Sequence, residues 1–348
     1  MADAELVLLP TDDLMHENTG EENFNESAYY NFFDPKLRVG GFVRLGNRPN
    51  EGKGEMTTCF YLPDGRVAFM YKRPEIASND AHDAGGLRFE VKTPFVEHRV
   101  TYRGHACMLA DPLEMADPKA AFASNPFVSV ELDVAYLGLS PGYGGEPRRR
   151  DGDRWVSARV EKSGQEFAKG HLEQHGKAVG TLVVDGQRYE LNAPGLRDHS
   201  WGPRYWQAPK YYRWLTMSFG DDLGACPSLV VQRDGRQFQA GYVYRKGQPN
   251  AAIVKTEVDT DFVGEQQLHD RIRVRATTKD GAVHEISGKV LAMIPLRNRR
   301  TAPDGTELHT RITEGMTEYR CGDLVGYGLS EYLDQIVDGQ PNGKVAGY

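Results

Sequence analysis

Short turn signals recur along this chain at the spacing of strands. "PDG" at Pro63–Gly65, "VDGQ" at Val184–Gln187, "DDLG" at Asp221–Gly224 and "RDG" at Arg233–Gly235 are followed by "RKG" at Arg245–Gly247, "KDG" at Lys279–Gly281, "PDG" at Pro303–Gly305 and "CGD" at Cys321–Asp323. Glycine accepts positive φ, so Asp-Gly between apolar runs favours hairpins. Between the turns the residues alternate. In "LHDRIRVRATT" the apolar Ile272, Val274 and Ala276 share one face and Arg271, Arg273 and Arg275 the other, the period of a half-buried strand. Convincing helices are few; "DPLEMADPKAAFAS" (Asp111–Ser124) predicts a short one, interrupted at Pro118. The pattern predicts an all-β fold of antiparallel sheets, sandwich or barrel.

A length of 348 residues accommodates one large domain or two smaller ones. "GLSPGYGGEPRRRDGD" (Gly138–Asp153) is rich in glycine and charge and lacks apolar periodicity, so it reads as a connection between two β-rich halves. The expected organisation is a poorly ordered N-terminal segment, 1–24, a first β half, 25–140, a linker, 141–153, and a second β half, 154–348.

Several functions are set aside. A net charge of -7 argues against a nucleic-acid footprint. Cys59, Cys107, Cys226 and Cys321 are scattered without C-x-x-C spacing, as expected for reduced thiols of a cytoplasmic protein. No apolar run approaches the roughly 20 residues of a membrane span, and the acidic start lacks the basic region of a secretion signal. No phosphate-binding loop is present, and "GYGLSEY" (Gly326–Tyr332) lacks the spacing of a dinucleotide fingerprint. "HLEQH" (His171–His175) is not H-E-x-x-H; as a strand it puts His171, Glu173 and His175 on one face, an exposed face by default rather than a zinc site. Neither a cofactor nor a metal is therefore expected.

"PGLRDHSWGPRYWQAPKYYRW" (Pro194–Trp214) concentrates Asp198 and His199 with Arg197, Arg204, Trp201, Tyr205, Trp206, Tyr211, Tyr212 and Trp214. In an extended segment Asp198 and His199 point to opposite faces unless a bulge or turn intervenes, and Gly202-Pro203 supplies a turn. Two readings stay open. Asp198 is either an anchor for Arg197 or Arg204 at a barrel end, or an acid beside an aromatic-walled apolar cavity. "TEGMTEYRCGDLVGYGLSEYLD" (Thr313–Asp334) folds as two strands about Gly322-Asp323 and carries Glu314, Glu318, Tyr327 and Glu331, with Gly326 and Gly328 admitting neighbouring bulk. "NESAYYNFFDP" (Asn25–Pro35) contributes Tyr29, and Arg48 with Glu51 forms either a buried pair or a turn.

"GLRDHSWGPRYW", "EGMTEYRCGDLVGYGLSEYL" and "ESAYYNFFDP…GGFVRLGNRPNEG" resemble the bacterial lipocalin-like proteins related to carotenoid 1,2-hydratases, a superfamily that also holds isoprenoid cyclases and pericyclase-like enzymes; the likeness is to an uncharacterised branch and spans about Asn25 to Asp334. The resemblance implies two lipocalin-like β-barrel halves with a cavity between or within them. It also implies an aspartate that protonates an alkene, for which Asp198 is the match by motif.

Hydration of an alkene, or the reverse, passes through cationic character. It needs an acid that keeps its proton near neutral pH and aromatic faces that stabilise the cation. The expected catalytic set is Asp198, His199, Glu314, Tyr327 and Glu331. The expected substrate wall is Trp201, Arg204, Tyr205, Trp206, Tyr212, Trp214 and Tyr29. If the arginines contact Asp198 and hold it ionised, the acid is Glu314 or Glu331, and Asp198 orienting His199 suits base-led isomerisation. The first expectation is thus a cofactor-independent lyase or isomerase acting on a small hydrophobic, isoprenoid-like molecule. The second is a non-catalytic carrier of such a ligand, and the third another class such as a hydrolase. Homodimer assembly is left open.

Overall fold

The structure is a computed structural model that describes residues 4–158, 167–302 and 304–344. It is built almost wholly from antiparallel strands, and these close into two rings. The first ring runs Phe24–Asp34, Val39–Arg48, Lys53–Tyr61, Val67–Lys72, Glu97–Leu109, Phe127–Gly138, Gly170–Val184 and Gln187–Pro203. Each strand pairs with the next, and the last pairs with the first, Arg197 opposite Tyr30. The second runs Pro209–Leu215 continued by Met217–Ser218, then Leu223–Gln232, Gln237–Arg245, Ala251–Val263, Leu268–Thr278, Val283–Thr301, Glu307–Cys321 and Leu324–Val337. It closes with Trp214 opposite Glu331. Its thinnest seam is between Gln237–Arg245 and Ala251–Val263, where the register holds two residue pairs, Tyr242–Ala252 and Val243–Ala251. Closure removes the unpaired edges that an open sheet presents.

The turn signals account for this order. Every "DG"-type signal falls between consecutive strands, and Ile272, Val274 and Ala276 are buried while Arg271, Arg273 and Arg275 are exposed. The Asp111–Ser124 stretch forms a 3-10 turn, Pro112–Ala116, and a short helix, Pro118–Ser124, divided at the proline. Both barrel interiors are filled. Val43, Leu45, Met56 and Phe60 pack inside the first, and Leu215, Ile272, Val274 and Tyr319 inside the second. A third apolar cluster joins the outer faces, including Tyr29, Phe42 and Phe69 from the first ring and Tyr212, Trp214 and Leu329 from the second. Phe24–Asp34 is therefore buried along its whole length, which is why its sequence does not alternate. Close approach between strands demands glycine at Gly328, where a Cβ would lie 1.9 Å from the Thr216 carbonyl oxygen.

The expected domain limits need correction. The Arg-Asp-His-Ser-Trp-Gly-Pro-Arg stretch (Arg197–Arg204), expected within the second half, instead completes the first ring, which ends at Pro203. The expected linker, 141–153, contains the strand Tyr143–Asp151, which pairs with Gly170–Val184 and with Glu5–Val7 as a ribbon outside the ring. A ribbon that packs on no barrel interior has no reason to show apolar periodicity. The N-terminal segment, from Glu5 on, is tied down rather than loose. Asp12 and Asp13 are each 2% exposed and cap one mouth of the first barrel. The four cysteines are unpaired. Among the described residues no helix is long and apolar enough to cross a membrane.

Candidate active site

Strand alternation divides the Arg197–Arg204 stretch between two environments. Arg197, His199 and Trp201 turn inward to the capped mouth of the first barrel. Arg197 makes a two-pronged pair with Asp13 at 2.7 and 3.1 Å, and Asp13 also meets His98 at 3.0 Å. His199 Nε2 lies 2.6 Å from Glu26 Oε1, which His16 Nδ1 approaches at 2.8 Å. Trp201 stacks on His16 at 3.9 Å and donates its indole N–H to Glu146 at 3.2 Å. Burial opposes ionisation of Glu26, but the two histidines outweigh it and hold its carboxyl down at about 2. Among the described residues, His16, Glu26 and His199 form the one group of three whose donor atoms lie close enough together to hold a metal ion.

Asp198 and Ser200 turn outward into a cavity of about 550 Å³ between the two barrels. Its apolar walls include Tyr29, Phe42, Phe69, Trp206, Tyr212 and Trp214, and Met115 and Phe122 of the helical insert border it. Asp198 Oδ2 lies 3.2 Å from His171 Nε2. Burial resists protonation of His171, but this hydrogen bond and the charges of Glu173 and Asp198 raise its pKa. Glu173, opposite Asp198 in the register, accepts the Trp214 indole N–H at 2.5 Å. Burial pushes the Glu173 carboxyl up.

Across the cavity, Glu314 and Glu331 are cross-strand partners, 4% and 8% exposed. Their ionisations are linked, since each acts on the titration of the other. Burial and the neighbouring charges of Glu331 and Asp198 push Glu314 well above the carboxylate range. Glu331 is also raised by burial, and it accepts the Tyr212 hydroxyl. Glu314 Oε2 and the Tyr29 hydroxyl are buried with no hydrogen-bond partner.

Of the residues singled out in the sequence, Asp198, Glu314, Glu331, Tyr29, Arg204, Trp206, Tyr212 and Trp214 line this cavity. His199 and Trp201 do not, because they alternate to the inward face. Tyr205 lies in the short connection between barrels, with the Arg300 guanidinium 5.0 Å from its ring. Tyr327 shares the outward face with Glu331 but sits four residues along the strand, where it stacks on Phe33 and donates to Glu318 at 3.1 Å. The reading of Asp198 as an anchor for Arg197 is not realised, since Arg197 pairs with Asp13 and Asp198 with His171. Arg48 and Glu51 are both a turn and a pair, 3.0 Å apart. His171, Glu173 and His175 share a face, but His175 is spent on the Tyr242 hydroxyl at 2.9 Å and the Met217 carbonyl at 3.0 Å, and burial lowers it to about 4. His171, Glu173 and Arg44 were not read from the sequence as cavity residues. Counting back from the Asp185–Gly186 turn pairs Glu173 with Asp198 and would have found the first two.

A family model described as a domain of unknown function, DUF7064, matches residues 9–336. Among curated proteins none matches the chain in sequence. In solved structures, an AttH-type protein of Nitrosomonas europaea is similar at a TM-score of 0.52 and 10% identity, over 94% of this chain and 97% of that one. Kievitone hydratase of Nectria haematococca is similar at a TM-score of 0.52 and 8% identity, over 92% and 93%. Identities this low carry the fold alone, and that fold is the all-β, lipocalin-like one expected from the sequence.

Proposed function

The chain belongs to the DUF7064 family, and within it we propose that this protein is a cofactor-independent hydro-lyase or isomerase whose acid is the Glu314–Glu331 pair. The observation that carries this is the buried pair itself. Glu314 and Glu331 stand opposite one another in the register and both are buried, and two carboxyls so placed resist ionising together at neutral pH, so one proton stays in the site as in a carboxyl dyad. The acid is thereby moved from Asp198, the match by motif, to the facing wall; Asp198 with His171 takes the part of base. The fold shared with a hydratase is consistent with this chemistry and does not fix it.

In the hydration direction the π pair of a substrate alkene takes the dyad proton, forming a C–H bond and a carbocation. Tyr29, Trp206, Tyr212 and Trp214 line the cavity, and an aromatic face contributes about 0.5–2 kcal/mol to a cation held against it. Water adds to the cation, and its proton passes to the Asp198–His171 pair. The proton returns to the dyad through solvent. Dehydration runs the same steps backwards, and proton loss from the cation without water capture gives isomerisation. A hydrophobic, isoprenoid-like alkene or tertiary alcohol suits the apolar walls.

The test is incubation with a library of hydrophobic isoprenoid alkenes and alcohols in oxygen-18 water and, separately, in deuterium oxide. The wild type is expected to introduce label into at least one compound, and Glu314→Gln to do so at least ~10²-fold more slowly. A compound that binds in the cavity and acquires no label would make the protein a carrier.

A further inference from the structure

Resting on that reading of the cavity, we infer that the ligand carries an anionic group, a carboxylate or phosphate on a hydrophobic body, and that Arg204 and Arg44 receive it. Both guanidiniums line the cavity. Arg204 is 8% exposed, and among the described residues no carboxylate lies within salt-bridge distance of it. Its side chain donates to the Ser200 hydroxyl and stacks over Phe167 at 4.3 Å and Trp206 at 5.3 Å. Its Nε–H is buried without an acceptor. Arg44 stands over the same Trp206 ring at 5.4 Å, and its Nη2 is likewise buried and unpartnered. The carboxylate nearest Arg44 is Glu55, at 3.5 Å, and that group is already committed to Arg48 at 2.8 Å.

Two cations therefore flank one indole with less than one carboxylate between them. A buried charge without a counter-charge is costly to a fold, and two such residues lining one cavity make sense if the counter-charge arrives with the ligand. Guanidinium is suited to the task, since its planar fork matches carboxylate and phosphate oxygens. Burial and the charge of Arg44 lower the Arg204 pKa to about 10, and Asp198, the carboxylate that opposes them, is in contact with His171 instead. An anion anchored at Trp206 leaves the hydrophobic body of the ligand to the tyrosine and tryptophan walls.

Two fluorescent probes separate charge from shape: 8-anilinonaphthalene-1-sulfonate and its uncharged counterpart N-phenyl-1-naphthylamine. The wild type is expected to bind the sulfonate at least ~10-fold more tightly, the scale of one charge-assisted hydrogen bond. Arg204→Gln and Arg44→Gln should each weaken the sulfonate at least ~10-fold more than the neutral probe, and Arg204→Lys should recover part of the loss. Ser228→Trp, which fills the cavity wall, should abolish both. Displacement by decanoate, decyl phosphate and decanol then tells carboxylate from phosphate, with decanol weakest. Equal wild-type affinity for the two probes overturns the anion subsite and leaves the apolar cavity standing, and this needs no variant to fold. If neither probe binds, or Ser228→Trp leaves binding intact, the cavity is not a ligand site and the proposed function falls with it.

Discussion

Two clusters of buried carboxyls lie back to back across the Gln187–Pro203 strand, and burial has opposite results in them. On the inward side each acid meets cations or imidazoles in direct contact: Asp12 with Arg148 at 2.7 Å, Asp13 with Arg197 and His98, Glu26 with His16 and His199. Burial works against ionisation there, yet these partners outweigh it and bring Asp12 and Glu26 down to about 2. On the outward side Glu314 meets Glu331, and burial with like charge drives the carboxyl up. Depth is the same; what differs is whether the fold itself completes each group. The inward acids are filled by the chain and hold it together. The outward acids and arginines keep unspent capacity, and that surplus marks a place where something else binds.

The largest expected break in this contrast is Arg197→Met. It leaves Asp13 buried without its counter-charge and should cost about 3–5 kcal/mol in urea unfolding at pH 7. Arg204→Met, also at a buried position, should cost far less or stabilise the fold, because it removes a charge that has no carboxylate in contact. Equal losses for the two would erase the distinction. Next is the acid limb. Glu26 is depressed to about 2 from the usual 4.5, so its contribution is fully present above pH 4.5 and is lost as pH falls through about 2. The amount is on the order of 3 kcal/mol, and Glu26→Gln should flatten unfolding free energy over that window.

Glu314→Gln is expected to behave with the opposite sign. A raised acid binds more protons folded than unfolded, so its effect is absent below about pH 4.5 and becomes destabilising as pH rises toward its folded pKa. The variant should therefore be more stable than wild type at pH 8, with no gain at pH 4. A loss at pH 8 would mean that Glu314 is ionised and partnered. The smallest effect is expected at Arg273→Ala on the outside of the second barrel. Arg273 pairs with Asp259 and Asp261 but is half exposed, and solvent screens such pairs, so the unfolding midpoint should not move measurably.

The turn signals were enough to locate the hairpins because a two-residue turn and its flanking alternation are local. The Glu314–Glu331 contact was within reach too, since counting outward from Gly322 pairs the two residues. Ring closure was not legible. Which strand Gln187–Pro203 finds on its far side is a matter of contacts across the whole first ring, and nothing near His199 announces that its neighbour Asp198 faces a different compartment from itself. The N-terminal acids misled for a related reason. Asp12 and Asp13 fall in a segment that reads as poorly ordered until Arg148 and Arg197, far along the chain, supply their partners.

That closure has a consequence for how the molecule comes into being. The strand bearing Asp198 is the last of its ring to be synthesised, and its partner Phe24–Asp34 is the first. A nascent chain must hold Phe24–Asp34 with an unpaired edge until Pro203 leaves the ribosome, and the Asp13–Arg197 contact must then span 184 residues. Contacts of such range are slow to form. Even then only half a pocket exists, because Glu314 and Glu331 follow with nearly the whole second ring. A truncated product ending before Leu324 would display Tyr29, Phe42 and Trp214 to solvent, the kind of surface on which chaperones and proteases act. Competence therefore arrives late in translation and all at once.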